Sequence, residues 1–234
     1  ALQGDNIVDK SANFSWYEGD SLLEILEKTE VQNDIDYTHA RFPVQYVIRP
    51  QTEDLHDYRG YAGKIVSGVY KVGDTIQVLP SGLTTRISGI EINGKKMQEA
   101  FAPQSVILLL EDDIDISRGD VIVKEDSAPA TEQVIEAFVC WMDSKPLVPG
   151  NKYLLQINSR VVRSVIKEIE YKLDVNSLEK ELAPKQASLN DVIKATIKTA
   201  SPIPYDQYSK LRVNGGAILI DETSNVTVGA CMIQ

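Results

Sequence analysis

The residues that could do chemistry in this chain are few and scattered. His39 and His56 are the only histidines, so a two-histidine metal site would consume the whole supply. His56 stands near Asp54 and Asp57 in a segment that reads as loop. A solvated imidazole is its simplest role, and nothing local supports a Ser-His-Asp or Cys-His pair. The acidic run Glu111-Asp112-Asp113-Ile114-Asp115 invites comparison with a calcium loop, with Asp113 first, Asp115 third and Ser117 fifth. Gly119 then falls one place late, and Lys124 stands where the bidentate Glu belongs, so the run reads as a solvated turn. Arg118-Gly119-Asp120 reads as the turn into a strand rather than an adhesion tripeptide. Asn13 and Asn225 open glycosylation sequons by pattern only.

Nucleotide chemistry fares no better. A phosphate cradle of the form G-x-x-x-x-G-K-[ST] occurs nowhere. Asp57-Tyr58-Arg59-Gly60 fits D-x-x-G, and Asn151-Lys152 is half of a guanine-reading N-K-x-D, but Leu154 replaces its Asp. Both read as turns. Arg160, Arg163, Lys167 and Lys172 form the one basic run, interrupted by Glu168 and Glu170. A mixed solvated face is the bland reading and an anion or partner site the sharper one. Only Tyr171 offers a ring for base stacking, which gives RNA binding little support. No catalytic residue and no metal ligand follows from these side chains.

The totals fit a soluble, packed protein that does not favour polyanions. Hydrophobic residues make up 43% and charged residues 25%, which excludes wholesale disorder. The formal net charge of -10 repels phosphate backbones on average, so a nucleic-acid site would need a local basic patch. Cys140 and Cys231 lie far apart and form no C-x-x-C pair, which points away from a disulfide framework or a zinc site and toward a reducing cytoplasm. No apolar run approaches the ~20 residues that span a bilayer. The opening ALQGDNIVDK is neither a signal peptide nor an initiator sequence, and reads as a cut inside a longer protein.

The elements that would carry these residues are mostly strands. Ser21-Leu22-Leu23-Glu24 reads as a capping box opening a helix over about 21–30, with Leu22, Ile25 and Leu26 on one face. A helix this short needs a partner for that face. Residues 31–40 read as a linker. Arg59 to Gly82 predicts two strands in a hairpin, turning at Gly73-Asp74, with Pro80-Ser81-Gly82 closing the far end. TTRISGIEIN ends in a turn at Asn93-Gly94, and SVILLLE and a strand near Val121–Val123 follow. Five or six short strands suggest a small closed barrel over 41–127. Ser127-Ala128-Pro129-Ala130 then supplies a break, and a second barrel over 128–234 follows. Val162, Ile166, Ile169 and Leu173 also fit helical spacing, but the β-branched content of that run favours a strand.

Several segments carry a family resemblance. RFPVQYVIRP at 41–50, RGYAG at 59–63, VLPSG, Gln98-Glu99-Ala100-Phe101-Ala102 and DIDISRGD resemble the second domain of the large, GTP-binding subunit of bacterial ATP sulfurylase. Trp141-Met142, Pro146-Leu147, Pro149-Gly150 and GGAILIDETSNVTVGACM resemble its third domain. Ala1-Leu2 before GDNIVDKSANFSWYEG resembles the end of a GTPase domain, where a Ser-Ala-Leu loop closes over guanine. The chain departs from the pattern at Cys231, where a glycine is expected, and in a slightly extended stretch from Asp54 to Asp57. A translation elongation factor carrying aminoacyl-tRNA shares the architecture. Such factors usually place a Cys and a His where this chain has Gln156-Ile157-Asn158-Ser159, and are more basic here.

The resemblance implies an all-β chain of two consecutive Greek-key type barrels, with residues 1–40 left over from a GTPase domain. It implies no catalytic or metal site in the fragment itself. GTP and Mg would belong to the full-length protein, with Ala1 and Leu2 a remnant of the guanine-closing loop that is not competent alone. The implied partners are the missing GTPase domain and a small catalytic subunit that makes adenylyl sulfate from ATP and sulfate, with neither nucleic acid nor membrane involved. Arg59, Gly60 and Tyr61 would form the edge that meets the GTPase domain, or simply the start of a strand.

Overall fold

The computed structural model describes residues 3–29, 35–50 and 58–234. It divides into two units, residues 1–34 and 35–234. In the first, α1 (Leu22–Lys28) is opened by the expected capping box: Ser21 Oγ accepts from the Glu24 amide, and the Glu24 carboxylate accepts from the Ser21 amide at 3.1 Å. Lys28 closes the helix with an ion pair to Asp20 at 2.7 Å. Leu22, Leu23, Ile25 and Leu26 all stay exposed. Among the described residues no helix is long and apolar enough to cross a membrane.

The second unit opens with nine strands: β1 (Arg41–Ile48), β2 (Gly60–Lys64), β3 (Val69–Lys71), β4 (Thr75–Leu79), β5 (Leu83–Ile92), β6 (Lys95–Met97), β7 (Glu99–Phe101), β8 (Ser105–Leu110) and β9 (Val121–Lys124). Hydrogen bonding runs β4-β9-β1-β2-β8-β5, and β5 pairs back onto β4 to close a six-stranded barrel with β6 appended. Alternation fills it, with Phe42, Val44, Tyr61, Ile76, Val78 and Leu108 pointing inward. Closure leaves few strand edges unpaired, the usual liability of a small sheet.

The hairpin expected within Arg59–Gly82 is not formed. Gly73-Asp74 does reverse the chain, with Gly73 at φ +90° and the Asp74 amide donating to Lys71 O at 3.1 Å. The strand before that turn, β3, pairs with β7 instead, setting Val69 opposite Phe101. β4 pairs with β5 across Pro80-Ser81-Gly82, and with β9 on its other edge. Turn chemistry marks where a chain reverses, while pairing depends on which edges long-range neighbours occupy. The Asn93-Gly94 turn does join paired strands. Asn93 and Gly94 take φ of +50° and +74°, as a tight turn between β5 and β6 requires.

A second barrel follows: β10 (Ala130–Trp141), β11 (Lys152–Ile157), β12 (Arg160–Leu173), β13 (Lys180–Leu182), β14 (Val192–Tyr205), the helical turn α2 (Arg212–Gly215), β15 (Gly216–Ile220) and β16 (Thr227–Ile233). The order is β11-β15-β16-β10-β14-β12, closed by β11 on β12, with β13 added outside β12. The ambiguous run is the strand β12. Its helical spacing has a β cause: the register with β14 shifts between Ile166 and Glu168, so Val162, Ile166 and Ile169 all face inward. Trp141 anchors this core, edge-on to Tyr153 at 5.4 Å, with its indole N–H donating to Lys145 O at 2.8 Å.

Both thiols sit in this barrel, in different surroundings. Cys231 is fully enclosed, and burial pushes its thiol up to about 12, whereas Cys140 is partly exposed. At about pH 8 a thiol reagent is therefore expected to modify Cys140 alone in the native chain and Cys231 only after denaturation. Equal native rates at both positions would contradict this packing.

Candidate functional site

The expected edge at Arg59, Gly60 and Tyr61 lies at the start of β2, one wall of an open cleft of about 650 Å³. The other walls come from Arg49, Tyr58, Ser88 and Asp112. A Cβ on Gly60 would stand 2.6 Å from Ile107 Cγ2 and 3.1 Å from the Tyr58 ring, so close packing of β2 on β8 requires glycine here. Arg59 does not reach freely outward. Its guanidinium pairs with Asp113, comes to 3.8 Å from Asp115, and lies 5.5 Å from the Tyr61 ring centroid. Arg49 approaches the same Asp113 at 3.9 Å. The acidic run is thus a counter-charge for two arginines.

The phenols complete the cleft without supplying acid–base chemistry. Tyr61 donates to Ile114 O at 3.2 Å, and Tyr58 donates to Glu91 at 3.0 Å. Burial, with Glu91 adding to it, pushes Tyr58 up to about 12, and burial also raises Tyr61 against the pull of Arg59. Both stay neutral hydroxyls near neutral pH. Among the described residues no three His, Cys, Asp or Glu side chains converge as metal ligands. Ala1, Leu2, His56 and the Asp57 of D-x-x-G lie outside the described residues.

A second constellation, where the two barrels meet, escaped the sequence reading. Arg41 of β1 is almost wholly buried and grips Asp206 bidentately, Nε to Oδ2 at 2.8 Å and Nη2 to Oδ1 at 2.9 Å. Its third nitrogen donates to Ala40 O at 2.9 Å. Asn214, fully buried, donates to Asp206 at 2.8 Å and accepts from Asn158 at 2.8 Å. Asn158 and Ser159 make the two-residue turn between β11 and β12. Ser159 reaches across to Val44 O at 2.8 Å.

Arg160 lies in the same junction rather than on the solvated face expected for its run. It sits 3.3 Å from Asp120, whose carboxyl is raised above its usual range because burial outweighs the arginine. Gly119 makes this approach possible: at φ +97°, any Cβ it carried would stand 3.0 Å from Arg160 Cα. Of the remainder of the basic run, Arg163 and Lys167 are exposed and Lys172 is half-buried, with Arg163 at 3.3 Å from Glu222 and Lys172 at 2.7 Å from Glu181. RFPVQYVIRP was noticed only for its likeness to a family, and Asn158-Ser159 only as a departure from translation elongation factors. A single arginine opening an apolar strand was the available signal.

Two family models match successive parts of the chain: elongation factor Tu domain 2 over residues 61–123, and GTP-eEF1A C-terminal domain-like over residues 134–234. Curated relatives match along its whole length. It is 44% identical over 234 residues to the bifunctional enzyme CysN/CysC of Mycobacterium tuberculosis, covering 100% of this chain and 38% of that protein. It is 40% identical over 243 residues to sulfate adenylyltransferase subunit 1 of Bacteroides thetaiotaomicron, covering 100% of this chain and 49% of that protein. Along its whole length the chain is thus similar to sulfate adenylyltransferase subunit 1 proteins. It spans less than half the length of those relatives.

Solved structures share the fold at lower identity. Sup35 complexed with GMPPNP superposes with a TM-score of 0.75 at 20% identity, over 99% of this chain and 56% of that one. The translation elongation factor SelB from Methanococcus maripaludis gives 0.67 at 18% identity, over 91% of this chain and 46% of that one. This chain thus shares its two-barrel fold with these solved structures. The all-β reading and its likeness to translation-factor barrels stand.

Proposed function

We propose that this chain is the non-catalytic β-barrel body of the GTPase subunit of sulfate adenylyltransferase. Identity along the whole of this chain, 40% to a sulfate adenylyltransferase subunit 1 and 44% to a bifunctional enzyme CysN/CysC, carries the reading, whereas the translation factors above share 18–20% and speak for the fold alone. The described residues do not fit the family's GTP and magnesium, because they hold neither a phosphate cradle nor a cluster of metal ligands. Nucleotide chemistry would therefore belong to residues outside them, and adenylyl sulfate formation from ATP and sulfate to a small partner subunit. The barrels' part is mechanical. A junction closed by Arg41–Asp206 and Arg160–Asp120 makes two barrels respond together to a contact made on either.

Arg59, Gly60 and Tyr61 remain the edge proposed to meet the GTPase domain. Held by Asp113 and Asp115, they form a preset surface rather than a free arm. The test is GTP-stimulated adenylyl sulfate synthesis by the protein carrying this chain together with the small subunit. Arg59→Ala and Tyr61→Ala are expected to lower the stimulation about tenfold while leaving the unstimulated rate alone. Unchanged stimulation would sink the edge assignment. Micromolar GTP binding by the isolated chain would sink the whole reading.

A further inference from the structure

On one part of the outer face of the second barrel, lysines are held by carboxylates. Lys194 lies 2.7 Å from Glu136 and 2.9 Å from Glu170, and Lys172 lies 2.7 Å from Glu181. The pattern fails where β11, β12 and β14 run side by side toward their other ends. Lys152, Arg163, Lys167 and Lys198 share one depression of about 660 Å³, in which Glu222 is the only acid and is taken by Arg163. Among the described residues no carboxylate lies within ion-pair distance of Lys152, Lys167 or Lys198.

The geometry that gathers these charges is specific. Val165 pairs with Lys152 on one neighbouring strand and with Lys198 on the other, so two lysines flank one half-buried valine. The bulge after Ile166 leaves Lys167 exposed beside them. Like charges on adjacent strands repel, and this chain, at -10 overall, has carboxylates to spare for neutralising them. It does so at Lys172 and Lys194 on the same barrel and not in this depression.

We propose that this face is the docking surface for a second protein subunit that presents acidic side chains around an apolar contact. The inference rests on the reading of the chain as part of a two-subunit enzyme. A protein fits better than a polynucleotide on three counts. None of the lining residues is aromatic, so bases would have nothing to stack on. Val165 stands among the cations, with half-exposed Val161 two residues before Arg163 on the same strand, and they call for an apolar contact that phosphates lack. The net charge of -10 opposes a polyphosphate at long range.

The test measures association of the full-length protein carrying this chain with the second sulfate adenylyltransferase subunit, at low and at physiological salt. The double variant Lys167→Glu/Lys198→Glu is compared with Lys95→Glu/Lys96→Glu, a reversal of two exposed lysines on β6 of the first barrel. Charges at a docking rim act mainly on the association rate, so the first variant is expected to associate about tenfold or more slowly and to lose most of its salt dependence. The second should match the unmodified protein. If the unmodified protein binds and Lys167→Glu/Lys198→Glu binds at the same rate with the same salt slope, the docking face is wrong while the two-subunit reading stands. Failure of the unmodified protein to bind would overturn both. Duplex RNA is titrated in parallel, and loss of RNA binding with retention of subunit binding would reassign the face and overturn the proposal.

Discussion

Arg41→Ala is expected to destabilise the two-barrel unit by about 3–5 kcal/mol, the range for removing one partner of a buried ion pair. Arg41 is 1% exposed and spends its guanidinium on Asp206 and Ala40 O, while Asp206 keeps only Asn214 once the arginine is gone. The carboxylate would then stand at the junction with its counter-charge deleted. Urea unfolding measures the loss, and a cycle with Asp206→Ala separates the pair from the packing of the arginine stem. If the junction couples the barrels, the urea slope should fall as well, because each barrel would then unfold by itself and expose less surface per step. A midpoint and slope unchanged from the parent chain would show that the junction adds no stability.

Gly68→Ala should cost nearly as much, for a different reason. Gly68 has φ +79°, and a Cβ there would stand 2.3 Å from Ala40 Cα, a backbone atom that cannot swing aside. Its amide donates to Asp36 O, and its carbonyl accepts from Ala102 at 3.1 Å, so the segment is held on both sides. Left-handed strain of roughly 1–2 kcal/mol adds to an overpacking cost of about 1–3 kcal/mol. Gly73→Ala is the control. Its φ is +90° with nothing within 4 Å of the added carbon, so it should pay the backbone cost alone. Equal losses at the two positions, by thermal or urea unfolding, would show that the approach to Ala40 relaxes freely.

The candidate sites were legible to different depths. The Arg59 segment could be singled out locally, and the acidic run read as a solvated turn is one, with Asp113 and Asp115 81% and 96% exposed, but their pairing with Arg59 was not legible. Nothing near residue 59 points to residues 113–115, and the link is made by β2 lying beside β8, whose C-terminal end leads into the acidic run. Arg160 was read as part of a mixed solvated face because Glu168 and Glu170 interrupt its basic run. Alternation along β12 puts Arg160 on the side of buried Val162 and Ser164, opposite exposed Arg163, and Asp120 of the first barrel meets it there.

What the sequence determined by itself was local. The Ser21–Glu24 capping box, the Asn93-Gly94 turn, the Val- and Ile-rich strands and the lack of a phosphate cradle each depend on a few neighbouring residues, and so could be read in place. Tertiary structure decided which strands pair and what the charges do. β3 took β7 rather than β4, a bulge in β12 gave a strand the spacing of a helix, and Arg41 found Asp206 at a sequence separation of 165. The physical reason is the same in each case. Short-range periodicity specifies how a segment bends and which face is apolar, whereas closing a barrel and burying a charge depend on which distant edges and carboxylates the finished fold brings within reach.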